Sequence, residues 1–158
     1  MTEQEYVAGA EAVKERLYRT ALLYLSSESM AVDAVDEAVY KGFLAYRRLR
    51  QPQFFTTWMT RILINVCHGI LRRRRREVAA AELPETAGPE AYDALPLRET
   101  VAQLPEQLRQ IIILRFFTGL TLEETAESLG IPRGTASTRQ RRALALLRLE
   151  LTEGEDAV

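Results

Sequence analysis

The sequence predicts an all-α fold: two small helical domains joined by a flexible acidic linker. Three observations predict it. The N-terminal half reads as helices throughout, because its apolar residues recur at helical spacing. The stretch from Gly119 to Ala145 reads as two further helices separated by a tight turn. Charge alternates basic, acidic, basic along the chain, and the acidic middle has a linker composition.

In the first helix Ala10, Val13, Leu17, Ala21 and Tyr24 keep one face apolar. Ser26, Ser27 and Ser29 break that pattern and supply caps for the next helix. There Val32, Val35, Val39, Phe43 and Tyr46 form the expected apolar stripe. Asp33, Asp36 and Glu37 lie beside it at i, i+3 and i+4. With no His, Cys or fourth acid converging on them, this strip reads as a surface for a basic partner and not as a metal site. A loop around residues 50–53 follows, and Thr56 or Thr57 is the expected N-cap of a long third helix. In that helix Trp58, Ile62, Val66 and Gly69 are the expected buried face. Arg61, Asn65, His68 and Arg72 make a narrow polar stripe that runs into Arg73, Arg74, Arg75 and Arg76. An Asn among arginines can read a base edge while its neighbours hold phosphates, though a solvated surface amide fits the same position. Trp58 and Cys67 read as packing residues. His68 shows no visible partner and no catalytic case.

Residues 61–76 hold six arginines and no acid; residues 77–93 hold five acids and no base. The second stretch contains Pro84, Gly88 and Pro89, with Pro96 just beyond, and no sustained apolar period. The boundaries that follow are a first domain over residues 1–76, a linker over 77–96 and a second domain over 97–152. In the second domain Thr121 caps a helix and Glu124 completes a capping box. Leu122, Ala126 and Leu129 keep helical spacing; Gly130 stops that helix and Pro132 opens the next. Residues 133–148 carry five arginines, Arg133, Arg139, Arg141, Arg142 and Arg148, and no acid. A short helix, a glycine turn and an arginine-rich second helix suit a reader of the DNA major groove.

Composition narrows the classes. The net charge of −1 carries no message, but two separated basic patches suggest two contacts with a polyanion. One cysteine excludes a disulfide framework and a cysteine-based zinc site, and one histidine leaves no His-dependent triad with a spare metal site. No apolar run approaches the ~18 residues of a membrane span, and no signal peptide opens the chain. A soluble, cytoplasmic protein is expected, with no cofactor, metal or small-molecule substrate.

From about Leu17 to Leu149 the chain resembles the extracytoplasmic-function (ECF) sigma factors of bacterial RNA polymerase, within the sigma-70 family. Four pieces in order carry the resemblance. They are Ala31-Val-Asp-Ala-Val-Asp-Glu37 for region 2.2, and Phe55-Thr-Thr-Trp-Met-Thr-Arg-Ile-Leu-Ile-Asn65 for regions 2.3 and 2.4. Next come Leu104-Pro-Glu-Gln-Leu-Arg-Gln-Ile-Ile-Ile-Leu-Arg115 for region 4.1, and Pro132-Arg-Gly-Thr-Ala-Ser-Thr-Arg139 for region 4.2. The run from Ile111 to Phe117 is similar to SigV-like members.

The resemblance implies a promoter-specificity subunit, not an enzyme, answering an envelope or stress signal. It implies that Asp33, Asp36 and Glu37 dock on the β′ clamp helices of polymerase core, with a second core contact at the β flap. It implies that Asn65 reads a flipped base of the −10 element, with Lys41, Phe54 and Arg61 around that pocket; a base out of the stack exposes its Watson–Crick edge. It implies that Ser137, Thr138, Arg141 and Arg142 read the −35 element, with Arg115, Leu122 and Glu123 supporting them near the phosphates. Arg72 to Arg76 and Arg139 are then phosphate contacts, and the acidic linker threads the RNA exit channel. A membrane-anchored anti-sigma factor is the expected regulator. Three positions depart from the common pattern: Asp36 stands where Gln is frequent, Ser137 where Lys or Arg is frequent, and Gln140 where an apolar residue is frequent. Gln140 shares the expected core side of its helix with Ala136, Ala143 and Leu147, and a buried Gln needs partners. Two other readings compete. A stand-alone dimeric helix-turn-helix regulator would need an apolar face for dimerisation, and a DNA-processing enzyme would need a nucleophile or metal cluster. Neither feature is visible.

Overall fold

The structure, a computed structural model, describes residues 1–81 and 96–156. Most of the expected linker, residues 82–95, lies outside the described residues. The elements in order are α1 (Glu3–Leu25), α2 (Glu28–Ala45), two short 3-10 turns (Tyr46–Arg48 and Pro52–Phe54) and α3 (Phe55–Ala81). Then come α4 (Pro96–Gln103), α5 (Glu106–Ile112), a π-helical turn (Ile113–Phe117), α6 (Leu122–Leu129) and α7 (Arg133–Asp156). Among the described residues there is no strand. The chain divides into two compact units, Met1–Glu90 and Ala91–Val158. α3 continues past Arg76 to Ala81.

In the first unit α1, α2 and α3 pack pairwise into a bundle. α1 starts at a capping box: Glu5 N donates to Thr2 Oγ1 (3.1 Å), and Thr2 N donates to Glu5 Oε2 (2.9 Å). Ser26 ends α1 in the left-handed region at φ 54°. Of the three serines, Ser27 caps α2, accepting from Met30 N at 3.3 Å. The α1 face is as expected, with Ala10, Val13, Leu17, Ala21 and Tyr24 all buried.

The α2 face differs from expectation. Val35 and Tyr46 are buried, but Val32 and Phe43 are 47% and 42% exposed. The buried stripe is instead Ala31, Ala34, Val35, Ala38 and Gly42. Small side chains win because neighbouring helices come too close for anything larger. A Cβ on Gly42 would lie 2.5 Å from Tyr6 Oη and 2.8 Å from Met59 Sδ. The Tyr6 phenol fills that space and donates to Val39 O. Its ring stacks on Tyr46 at 5.4 Å and meets Phe55 edge-on at 5.9 Å.

α3 is rotated from its expected setting by about one residue, or roughly 100°. The buried side chains are Phe55, Met59, Leu63, Ile64, Val66 and Cys67. Val66 was expected there, but Trp58, Ile62 and Gly69 are only half-buried. Neither Thr56 nor Thr57 caps the helix. α3 is entered through the Pro52–Phe54 turn and begins at Phe55, so both threonines lie within it. Thr57 is buried, and Thr56 O accepts from Thr60 Oγ1 at 2.7 Å.

In the second unit Ile111, Ala126 and Ala136 form a buried cluster, flanked by Leu122, Leu129 and Ile131. The Thr121 capping box is present: Glu124 N donates to Thr121 Oγ1 (3.1 Å) and Thr121 N to Glu124 Oε1 (2.9 Å). Gly130 ends α6 at φ 67°, where a side chain would be strained. Between α5 and α6 the helix widens into the π turn, closed by Thr118 N donating to Ile113 O at 2.9 Å. The run Ile111, Ile112, Ile113 and Leu114 is wholly buried, while Phe116 stays 53% exposed.

Candidate nucleic-acid interface

Two polar faces stand out, one in each unit. On α3 the Arg61 and Asn65 side chains are exposed one turn apart, followed by exposed Arg72, Arg73, Arg75 and Arg76. Phe54, at the end of the turn before α3, is 50% exposed. Two members of the expected polar row turn elsewhere. His68 is half-buried with its ring 5.8 Å from Tyr24, so it does have a partner. Arg74 is half-buried, and its Nη1 donates to Leu25 O at 3.4 Å, at the C-terminal end of α1. That carbonyl belongs to the last turn of a helix, where a cation is favoured.

The acidic strip sits on α2, with Asp33 and Asp36 exposed and Glu37 half-buried. Glu37 pairs with Lys41 at 3.3 Å, joining a carboxylate of the strip to a cation expected at the promoter. Asp36 also lines a groove of about 370 Å³ whose walls include Glu11, Lys14, Glu15, Tyr18 and Val32. Three acids against one lysine leave it net acidic, which with its apolar wall suits an amphipathic basic surface. Among the described residues no group of three His, Cys, Asp or Glu is placed to hold a metal ion. Cys67 is fully enclosed, and burial pushes its thiol up to about 12. It is therefore an inert packing group at neutral pH.

On the second unit Ala136, Ala143 and Leu147 turn inward along α7. That leaves Arg141 and Arg142 exposed, with Ser137, Thr138 and Arg139 half-buried. Thr138 Oγ1 donates back to Gly134 O at 3.0 Å. At the start of α6 Leu122 is half-buried, and exposed Glu123 pairs with Arg133 at 3.2 Å. Arg115 is half-buried: its Nε donates to Gln140 Oε1 at 2.9 Å and its Nη1 to Leu120 O at 2.7 Å. The partner that Gln140 needed is thus Arg115. No sequence periodicity could pair these two, because they come from different elements.

Comparison with known proteins agrees with both units. The family described as "Sigma-70 region 2" matches residues 10–77, and "Sigma-70, region 4" matches residues 101–149. The chain belongs to the sigma-70 family of RNA polymerase sigma factors, in its ECF branch. It is similar to RNA polymerase sigma factor SigV of Bacillus subtilis, at 33% identity over 144 residues, covering 89% of this chain and 87% of that protein. ECF RNA polymerase sigma factor SigW of the same organism is 26% identical over 159 residues, covering 89% and 85% of the two chains. The fold matches that of the sigma factor RpoE from Bartonella quintana, solved in complex with the anti-sigma factor NepR. The TM-score is 0.76 at 24% identity, covering 95% of this chain and 96% of that one. Sigma factors are transcription initiation factors and not enzymes; the polymerase core supplies the chemistry. No helix among the described residues is long and apolar enough to cross a membrane.

Proposed function

We propose that this chain selects promoters for polymerase core by reading the −10 element with α3 and the −35 element with α7. The observation that carries this reading is the pair of unlike faces, one in each unit. Arg61, Asn65 and the exposed arginines of α3 suit a strand opened from its duplex. Ser137, Thr138, Arg141 and Arg142 on α7 suit a major groove. Lys41 and Phe54 flank the first face, and Arg115, Leu122, Glu123 and Arg139 support the second. The strip of Asp33, Asp36 and Glu37 docks on a basic surface of polymerase core, its β′ clamp helices, and the second unit meets the β flap. The two units act as separate modules joined by the segment between α3 and α4. The protein works in the cytoplasm, held by a membrane-anchored anti-sigma factor until an envelope or stress signal releases it. The solved RpoE–NepR complex, an anti-sigma factor bound to a sigma factor of this fold, supports an anti-sigma partner.

The test combines purified chain and polymerase core on a genomic DNA library, with transcript starts mapped. Core-dependent initiation at shared −10 and −35 elements is the expected result. The free chain should bind DNA weakly, with strong salt dependence and little sequence preference. Nanomolar, sequence-selective binding without core would favour a stand-alone regulator.

The two exposed arginines of α7 should divide the work. Adjacent helix positions project about 100° apart, so Arg141 and Arg142 need not do the same job. Alanine at the base reader should relax preference at one −35 position. Alanine at the phosphate contact should weaken all promoters alike and lower the salt slope by about 0.9. If neither substitution changes promoter use, α7 does not present this face to DNA.

A further inference from the structure

The observation that carries furthest is the bond between Arg115 and Gln140. Arg115 rises from the π turn, and Gln140 sits in the N-terminal third of α7. The guanidinium is fixed on two sides: Nε by Gln140 Oε1 at 2.9 Å, and Nη1 by Leu120 O at 2.7 Å. Its central carbon lies 5.4 Å from the centroid of the half-exposed Phe116 ring. These contacts settle the plane of the group and leave its Nη2 donors uncommitted. Both anchors are neutral. A carboxylate at position 140 would hold the guanidinium as well but cancel its charge, and an aliphatic side chain would keep the charge but let it swing. A glutamine does neither.

We propose that Gln140 is a positioning residue that holds Arg115 oriented and fully charged for a phosphate of the DNA backbone. The inference rests on the reading that α7 lies against promoter DNA. It also makes Arg115 a brace, because the same group ties the turn before α6 to the N-terminal third of α7. Gln140 itself touches no base, and its effect passes through Arg115.

The experiment uses the full chain, assembled with polymerase core on a promoter found by transcript mapping, and compares wild type, Q140L, Q140E, R115A and Q140L/R115A. Q140L should weaken promoter binding about fivefold, the scale of one net hydrogen bond, because Leu120 O still holds Nη1. In the R115A background it should add nothing, since both changes remove one interaction. Q140E should melt at or above the wild-type temperature yet bind DNA less tightly, with a salt slope lower by about 0.9. The added carboxylate also repels phosphate directly, so the double variant and the free-chain exchange, rather than Q140E, separate positioning from charge. Exchange of the Arg115 Nε proton in the free chain, followed by NMR, tests the positioning without DNA: slow in wild type, fast in Q140L. Unchanged promoter affinity in Q140L, an undiminished Q140L effect without Arg115, or fast exchange in wild type would each overturn the proposal. Failure of the wild-type holoenzyme to initiate would instead remove the promoter reading and leave the exchange result to decide the positioning.

Discussion

Asn65→Ala should abolish preference at one position of the −10 element while sparing the fold and the docking on polymerase. Asn65 is exposed on α3, one turn beyond Arg61 and outside the buried Met59, Leu63 and Val66 face. Its removal opens no cavity. It also leaves the α2 strip of Asp33, Asp36 and Glu37 intact, so core binding should not move. Arg61 and Arg72 offer donors only, whereas the Asn amide both donates and accepts, which is what one base edge requires. Loss of a good bidentate contact should cost roughly 1–3 kcal/mol of discrimination at a single position. In vitro transcription from promoters randomised across the −10 element measures it. A uniform fall in output would assign Asn65 to melting, and no change would make it a solvated amide.

Gly42→Ala should destabilise the first unit, although alanine is the better helix former. The added Cβ would meet Tyr6 Oη at 2.5 Å and Met59 Sδ at 2.8 Å, both on buried side chains. Tyr6 must then give up its bond to Val39 O, or Met59 must shift within a closed core. Overpacking and a strained buried hydroxyl together outweigh the gain in helix propensity, for a net loss of about 2 kcal/mol. Gly69→Ala is the control with the opposite sign. A Cβ there meets nothing within 4 Å, so only the propensity gain of about 1 kcal/mol remains. Urea unfolding followed by the fluorescence of Trp58, the one tryptophan, reports on this unit. Equal stability of the two variants would mean that α2 is not packed as closely as described.

The helical class was legible from the sequence, and so was the helix-turn-helix. Caps and stops such as Thr121, Glu124 and Gly130 act within a few residues of themselves, and an arginine run needs no tertiary partner to be recognised. The α1 stripe was equally readable, because its large apolar residues face the core and its other face is polar. On α2 the same logic chose Val32 and Phe43, which are partly exposed, over Ala31, Ala38 and Gly42, which are buried. A hydrophobic pattern ranks side chains by transfer free energy, but the distance between helix axes decides which sizes fit. On α3 apolar residues occupy more than one face, so their spacing does not select a rotation; contact with both α1 and α2 does. The links between elements also had no local signal. The turning of Arg74 towards the end of α1 and the Arg115–Gln140 bond bring together groups distant in sequence. Local interactions are written in residue order, and these pairings exist only once packing has placed the helices.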